Sequence, residues 1–125
     1  DWLDRFTSGR RRAAPAYREG LRHPAVTLLA PPQAPEAHVH HLFVVRCARR
    51  DALQAHLKAQ GVQALQHYPV PVHRQPPCAG IARDPAGLAE AERHAAECLT
   101  LPCHPQLSEA QVAQVVEAVN RFPAA

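Results

Sequence analysis

The sequence is poor in several residue types, and each shortage excludes a class of structure or function. Its 125 residues include no methionine, one lysine, one tryptophan and five glycines. No segment approaches the ~20 consecutive apolar residues of a membrane-spanning helix. The sequence does not start with a charged segment followed by an apolar stretch, so it does not predict a signal peptide. We therefore expect no membrane partner and a cytoplasmic location.

The positive charge is too small to predict a nucleic-acid-binding protein. The formal net charge is +3, and nearly all of the basic side chains are arginines, with Lys58 as the exception. The run at 9–12, "GRRR", could contact phosphate, but no aromatic side chains alternate with it. A solvated helix face explains it better, so we expect no nucleic-acid partner.

The spacing of the cysteines matches no small secreted disulfide framework. The four cysteines are Cys47, Cys78, Cys98 and Cys103. We expect reduced thiols, as in a cytoplasmic protein.

Two groups of histidine and cysteine have ligand types that suit zinc. His38 and His40 lie on one side of an extended segment, but two ligands do not complete a zinc site. The second group consists of His94, Cys98, Cys103 and His104. Its residues lack the paired ligand spacing of zinc sites. We therefore predict no metal site and interpret these side chains as structural.

Helix and strand patterns alternate along a chain of single-domain length. The predicted segments are a helix at 1–22, a strand at 40–47, a helix at 51–60, a strand at 61–65, a helix at 88–98, a strand at 99–102 and a helix from 108 onward. This order predicts an α+β fold in which a small antiparallel-type sheet carries helices packed on one face. We expect one domain over 1–125, with a linker helix at 1–22 and a core at 38–125.

Local signals refine three of these helices. Pro15 predicts that the first helix is interrupted or starts late, because proline removes a hydrogen bond. Asp51 is expected to cap the second helix and Gly61 to end it. Ser108 and Gln111 predict a capping box at the start of the last helix. Three side chains are expected to face inward near 88–98: Ala91, Ala95 and Cys98.

The run "HYPVPVHRQPP" at 67–77 places titratable rings among prolines. Prolines fix φ and force the preceding residues into extended conformations, so this segment is stiff before any ligand binds. We expect His67 and Tyr68, and less strongly His73, to lie on a rigid rim where they bind a ligand. The alternative, a structural turn with the rings packed inward, remains open.

Several motifs together resemble the C-terminal domain of the DegT/DnrJ/StrS-type sugar aminotransferases. They are "HLFVVR" at 41–46, "RDAL" at 50–53, "HYPVPVH" at 67–73 and "HPQLSEAQV" at 104–112. The helix "RRRAAPAYREGL" at 10–21 is also similar to the first helix of that domain. The resemblance covers essentially the whole chain.

The resemblance implies the small domain of an aspartate-aminotransferase-type enzyme that uses pyridoxal phosphate (fold type I). Such an enzyme transfers an amino group from glutamate to a keto-sugar linked to a nucleoside diphosphate, and its site forms in a homodimer. A larger domain supplies the Schiff-base lysine and most of the cofactor site. We therefore expect no catalytic or cofactor-binding residue here, an exposed Lys58, and His67, Tyr68 and His73 against the nucleotide-sugar.

A second hypothesis remains open: a freestanding domain that keeps this fold for binding or interaction and performs no chemistry. A lysine-bearing segment encoded upstream of Asp1 would favour the enzyme.

Overall fold

A computed structural model of the chain describes residues 1–124, in which four α-helices surround a three-stranded sheet. The elements are α1 Trp2–Gly20, β1 Thr27–Leu28, β2 Phe43–Arg46, α2 Arg50–Ala59, α3 Ala89–Glu97, β3 Cys98–Leu101 and α4 Glu109–Asn120. The sheet order is β1-β2-β3, and both neighbouring pairs are antiparallel. The predicted α+β fold with a small antiparallel sheet is confirmed.

The core lies between the sheet and the helices α1, α2 and α4. In β2, alternate residues Phe43 and Val45 are buried, and their cross-strand partners in β3 are Leu101 and Leu99. The helices bury their apolar stripes in the same cluster through Ala13, Ala14, Tyr17, Leu53, Leu57, Val112, Val115, Ala118 and Val119. Burial of this apolar surface is the main stabilising contribution to the fold.

The first helix is continuous, so the predicted interruption at Pro15 is wrong. Pro15 lies on the exposed side of α1. Ala14 and Tyr17 on either side are buried, and the Tyr17 hydroxyl donates to the Pro102 carbonyl oxygen at 2.7 Å. Packing of an apolar face supplies most helical stability in proteins, and here it offsets the hydrogen bond that proline removes. No helix within residues 1–124 is long and apolar enough to cross a membrane.

The segment at 61–65 is not a strand, contrary to the prediction. Gly61 has φ +74° and ends α2, as expected. The chain then turns toward β3, where only Leu65 pairs: its N–H donates to the Thr100 carbonyl and the Thr100 N–H donates back, at 3.1 and 2.7 Å. Residues 62–64 span the distance from the end of α2 to the edge of the sheet. The contact of this segment with β3 is therefore the single bridge at Leu65.

Two further local predictions need correction. Arg49, rather than Asp51, occupies the N-cap of α2, and Asp51 lies in the first turn, where its carboxylate accepts from the Arg50 guanidinium. Ala91 is exposed although Ala95 is buried, because the end of α3 lies against the start of α2, where the Arg50 guanidinium donates to the Ala95 carbonyl. The two-residue strand β1 was not predicted, since two residues carry no periodicity.

The last helix matches its prediction. The Ser108 hydroxyl accepts from the Gln111 N–H, and the Gln111 side chain accepts from the Ser108 N–H, which completes the capping box. At the other end, Asn120 accepts from the Arg22 N–H and donates to the Gly20 carbonyl, both at 2.9 Å. These bonds fix the end of α4 against the end of α1.

Candidate functional site

The proline loop, defined as residues 67–77, leaves the sheet directly after the Leu65 bridge. It contains the turn Val72–Arg74 and runs into a second turn, Pro76–Cys78; both are 3₁₀ turns closed by backbone hydrogen bonds. No residue between 67 and 88 is buried. The segment therefore forms a rim on the surface of the domain, and its role in binding a ligand stays a prediction.

His67 and Tyr68 lie together at the start of the rim. The Nδ1 of His67 is 3.0 Å from the hydroxyl of Thr100, a buried residue in the middle of β3. The two rings meet edge to face with 5.4 Å between centroids, and Tyr68 is 71% exposed. Within residues 1–124 neither the Tyr68 hydroxyl nor the His67 Nε2 has a hydrogen-bond partner. Both atoms are thus open to hydroxyl or phosphate oxygens of a ligand.

His73 is oriented differently from the other two rings. Its Nε2 is 2.6 Å from the Oε1 of Glu92 on α3, and its side chain is only 14% exposed. The Arg74 Nε donates to the same oxygen at 2.7 Å. These hydrogen bonds, His73 first and Arg74 second, hold the pKa of Glu92 below its ordinary value. The structure brings His67 and Tyr68 together but turns His73 toward α3.

A cavity of about 760 Å³ lies beside the rim, between residues 67–84 and α3. We call it the loop cavity. Its walls are largely apolar, from Val70, Val72, Ile81 and Leu88, and Tyr68 stands at its edge. Sites for small molecules are typically apolar concavities with a few polar groups that fix orientation. The loop cavity with His67 and Tyr68 has that composition.

The two suggested metal groups do not assemble within residues 1–124, where no three histidine, cysteine or acidic side chains lie close enough for one ion. His38 Nδ1 accepts from the His40 N–H at 2.8 Å and is therefore engaged. Burial, then the neighbouring His38, lowers the pKa of His40. The four cysteines are free thiols, and burial raises the pKa of Cys103 to about 11. A thiol with so high a pKa is a poor nucleophile.

Lys58 lies exposed on the solvent side of α2. A lysine that forms a Schiff base is activated by desolvation or by a neighbouring cation, and Lys58 is not buried. Lys58 therefore lacks the buried setting in which a Schiff-base lysine is activated.

Two supporting residues, Thr100 and Glu92, were missed by the sequence reasoning. Thr100 had a usable signal: a hydroxyl inside the apolar strand "CLTL" must find a hydrogen-bond partner when it is buried. No sequence signal identified Glu92, because "AEAER" contains two carboxylates and the pattern does not indicate which one contacts the loop.

Comparison with known proteins decides the family. A model of the DegT/DnrJ/EryC1/StrS aminotransferase family matches residues 1–120. The chain belongs to this family. The resemblance seen in the sequence motifs is thereby confirmed over nearly the whole length.

Relatives of this aminotransferase domain are longer proteins. The chain is 42% identical over 122 residues to a dTDP-3-amino-3,4,6-trideoxy-alpha-D-glucose transaminase of Streptomyces venezuelae, covering 96% of this chain and 32% of that protein. It is 39% identical over 122 residues to a pleiotropic regulatory protein of Geobacillus stearothermophilus, covering 96% and 33%. The chain thus spans about a third of the length of these relatives.

Solved structures of the family share the fold. The crystal structure of S. venezuelae DesV in complex with a ketimine intermediate superposes with a TM-score of 0.83 at 41% identity, over 95% of this chain and 32% of that one. A DegT DnrJ EryC1 StrS aminotransferase from Brucella abortus gives 0.84 at 29% identity, over 94% and 31%.

Proposed function

We propose that the chain is the C-terminal domain of a pyridoxal-phosphate-dependent aminotransferase that moves an amino group from glutamate to a nucleotide-linked keto-sugar. Family membership supports the reaction class, and relatives named as dTDP-sugar transaminases support the substrate class. The observation that carries the assignment of a site is the exposed Tyr68 next to the half-buried His67, both beside the loop cavity.

The proposed role of this domain is substrate binding. The Tyr68 hydroxyl donates to or accepts from a sugar hydroxyl or a diphosphate oxygen, and the His67 Nε2 does the same. Thr100 orients His67, because its hydroxyl bonds the other ring nitrogen and so fixes the ring. Interactions with parts of the substrate that do not react hold the reacting carbon in position. No step of the amino-group transfer is assigned to a residue of this chain.

Pyridoxal phosphate would supply the electron sink of the reaction, held by parts of the enzyme outside this chain. The exposure of Lys58 supports this division. We further propose that the enzyme is a homodimer, as the family resemblance implies, and that it acts in the cytoplasm, as its free cysteines suggest.

The division of labour is testable with the chain alone. Mixed with pyridoxal phosphate, it should give no saturable visible absorption band from a specific lysine adduct, because Lys58 is solvated. Lys58→Ala provides the matched control. A saturable band that disappears in this variant would show that the chain holds the cofactor itself.

The reaction is tested with the full-length protein that contains this chain. Incubated with pyridoxal phosphate, glutamate and a dTDP-linked keto-sugar, it should yield an amino-sugar nucleotide by mass spectrometry, with 2-oxoglutarate formed in equal amount. Aspartate and alanine serve as alternative donors. Failure to aminate any dTDP- or UDP-linked keto-sugar, with the protein folded and loaded with cofactor, would favour the non-catalytic binding domain.

A further inference from the structure

The proline loop is fastened to the rest of the chain at very few points. Within residues 1–124, every hydrogen bond that joins 69–87 to another element ends on one oxygen, the Oε1 of Glu92. The donors are His73 at 2.6 Å and Arg74 at 2.7 Å. The other hydrogen bonds of this segment close its own turns. No residue of the segment is buried, so core packing does not hold it.

The second fastening point is the start of the loop, where His67 contacts Thr100 and the Cys98 thiol contacts the Tyr68 carbonyl oxygen at 3.9 Å. Glu92 and Thr100 belong to one continuous piece of structure, because β3 begins at Cys98 directly after α3 ends at Glu97. The unit α3–β3 therefore holds the stretch 67–74 at both of its ends. Tyr68 lies between the two anchors, and Pro69 and Pro71 stiffen the connection.

From this geometry we propose that Glu92 is a positioning residue for Tyr68, acting through His73 and Arg74 on the far end of the loop. The inference rests on the proposed function, since it assigns Glu92 to the orientation of the nucleotide-sugar. A stiff connection with both ends fixed keeps Tyr68 at one place on the rim. With the Glu92 anchor removed, the described contacts hold the segment at its start, through His67 and the weak contact of the Cys98 thiol with the Tyr68 carbonyl oxygen, and then from α3 onward. The chain that follows Tyr68 can then move, so the Tyr68 side chain is no longer kept at one place on the rim.

The charges around Glu92 agree with this role. Arg74 carries a permanent positive charge, and His73 donates from Nε2 either as the neutral tautomer protonated there or as the imidazolium. The anchor therefore does not depend on protonation of His73. Hydrogen bonds to a charged carboxylate are stronger than neutral ones, and the lowered pKa of Glu92 is consistent with that.

The first measurement uses the 125-residue chain and needs no activity. We compare amide hydrogen exchange in Glu92→Ala, Glu92→Gln and the control Glu90→Ala. Glu90 lies in the same turn of α3, but its carboxylate bonds only Arg93. Glu92→Ala should speed exchange at Arg74, Gln75 and Cys78 by about three- to tenfold, Glu92→Gln by less, and Glu90→Ala not at all. Unchanged exchange in Glu92→Ala would overturn the proposal.

The second measurement uses the full-length enzyme and separates this proposal from the proposed function. Glu92→Ala should raise KM for the keto-sugar about three- to tenfold, leave the half-reaction with glutamate unchanged, and be partly rescued by Glu92→Gln. Tyr68→Phe is measured alongside. If Tyr68→Phe raises KM and Glu92→Ala does not, the positioning role fails while the proposed function stands. If neither variant changes KM, both fail.

Discussion

The body of the domain and its proline loop are ordered by different means. In the body, Val45, Leu57 and Leu99 have no exposed surface, and they lie in one continuous core. Between 67 and 88 no residue is buried, and Val72 is 76% exposed. The body depends on apolar contacts between segments far apart in sequence. The loop depends on prolines that restrict its own backbone and on the hydrogen bonds to Glu92.

This difference indicates which part of the chain contributes most to its stability, and it agrees with the proposed binding role of the loop. Functional groups commonly lie on loops that a rigid scaffold positions. Here the scaffold is β3 with its flanking helix, and the rim it carries exposes a tyrosine and several aliphatic side chains. Substitutions in the body should therefore change stability, and those in the loop should change binding.

Truncation of a core leucine should give the largest effect. Leu99→Ala removes a fully buried side chain opposite Val45 and should lower the free energy of unfolding by about 2–5 kcal/mol. The control Val72→Ala, in the loop, should stay within about 0.5 kcal/mol. Urea denaturation of the two variants checks this. Equal losses would contradict the division between body and loop.

Substitution of two glycines by alanine compares the body with the exposed segment through backbone packing. A Cβ at Gly9 on α1 would lie 2.4 Å from the Pro105 carbonyl oxygen, a backbone atom that cannot rotate away. Overpacking of this kind costs about 1–3 kcal/mol and should outweigh the gain of up to about 1 kcal/mol from better helix propensity. At Gly80 the same Cβ meets open space. We expect thermal unfolding to show a lowered Tm for Gly9→Ala only; a Tm at or above wild type would contradict the close approach.

Acid should loosen the loop before it affects the body. His73 and Arg74 lower the pKa of Glu92, so its contribution is complete above the ordinary carboxyl pKa of about 4.3 and is lost as pH falls through the lowered value. NMR titration should show the Arg74 amide shifting in that acid range while the Val45 amide stays constant. Loss of both signals together would mean that the loop has no separate anchor.

The sequence predicted those parts of the fold that have a repeating pattern or a local chemical signal. The capping box of Ser108 and Gln111 predicted the start of α4, and Gly61 predicted the end of α2. The interruption predicted at Pro15 was wrong because the sequence shows the local penalty of a proline but does not show the packing of Tyr17 that offsets it. The prediction of a strand at 61–65 was wrong for a similar reason, because the pairing of Leu65 depends on the position of β3 in the folded chain, which the local sequence does not show.

The candidate site was predictable in outline and incomplete in detail. The prolines predicted a stiff, exposed rim, and the exposure of Tyr68 agrees with that. The orientation of His73 was not predictable, because it depends on a carboxylate 19 residues away that comes close only in the folded chain. The contact between His67 and Thr100 likewise joins residues 33 positions apart.

The central claim is that the exposed Tyr68 faces the nucleotide-sugar in the full-length enzyme, and steady-state kinetics of Tyr68→Phe test it most directly. Loss of one hydrogen bond should cost about 0.5–1.5 kcal/mol, seen as a higher KM for the keto-sugar while the half-reaction with glutamate is unchanged. His67→Ala should act in the same direction. Wild-type kinetics toward the sugar in both variants, with only a lowered Tm, would show that the rim is structural and would contradict the account.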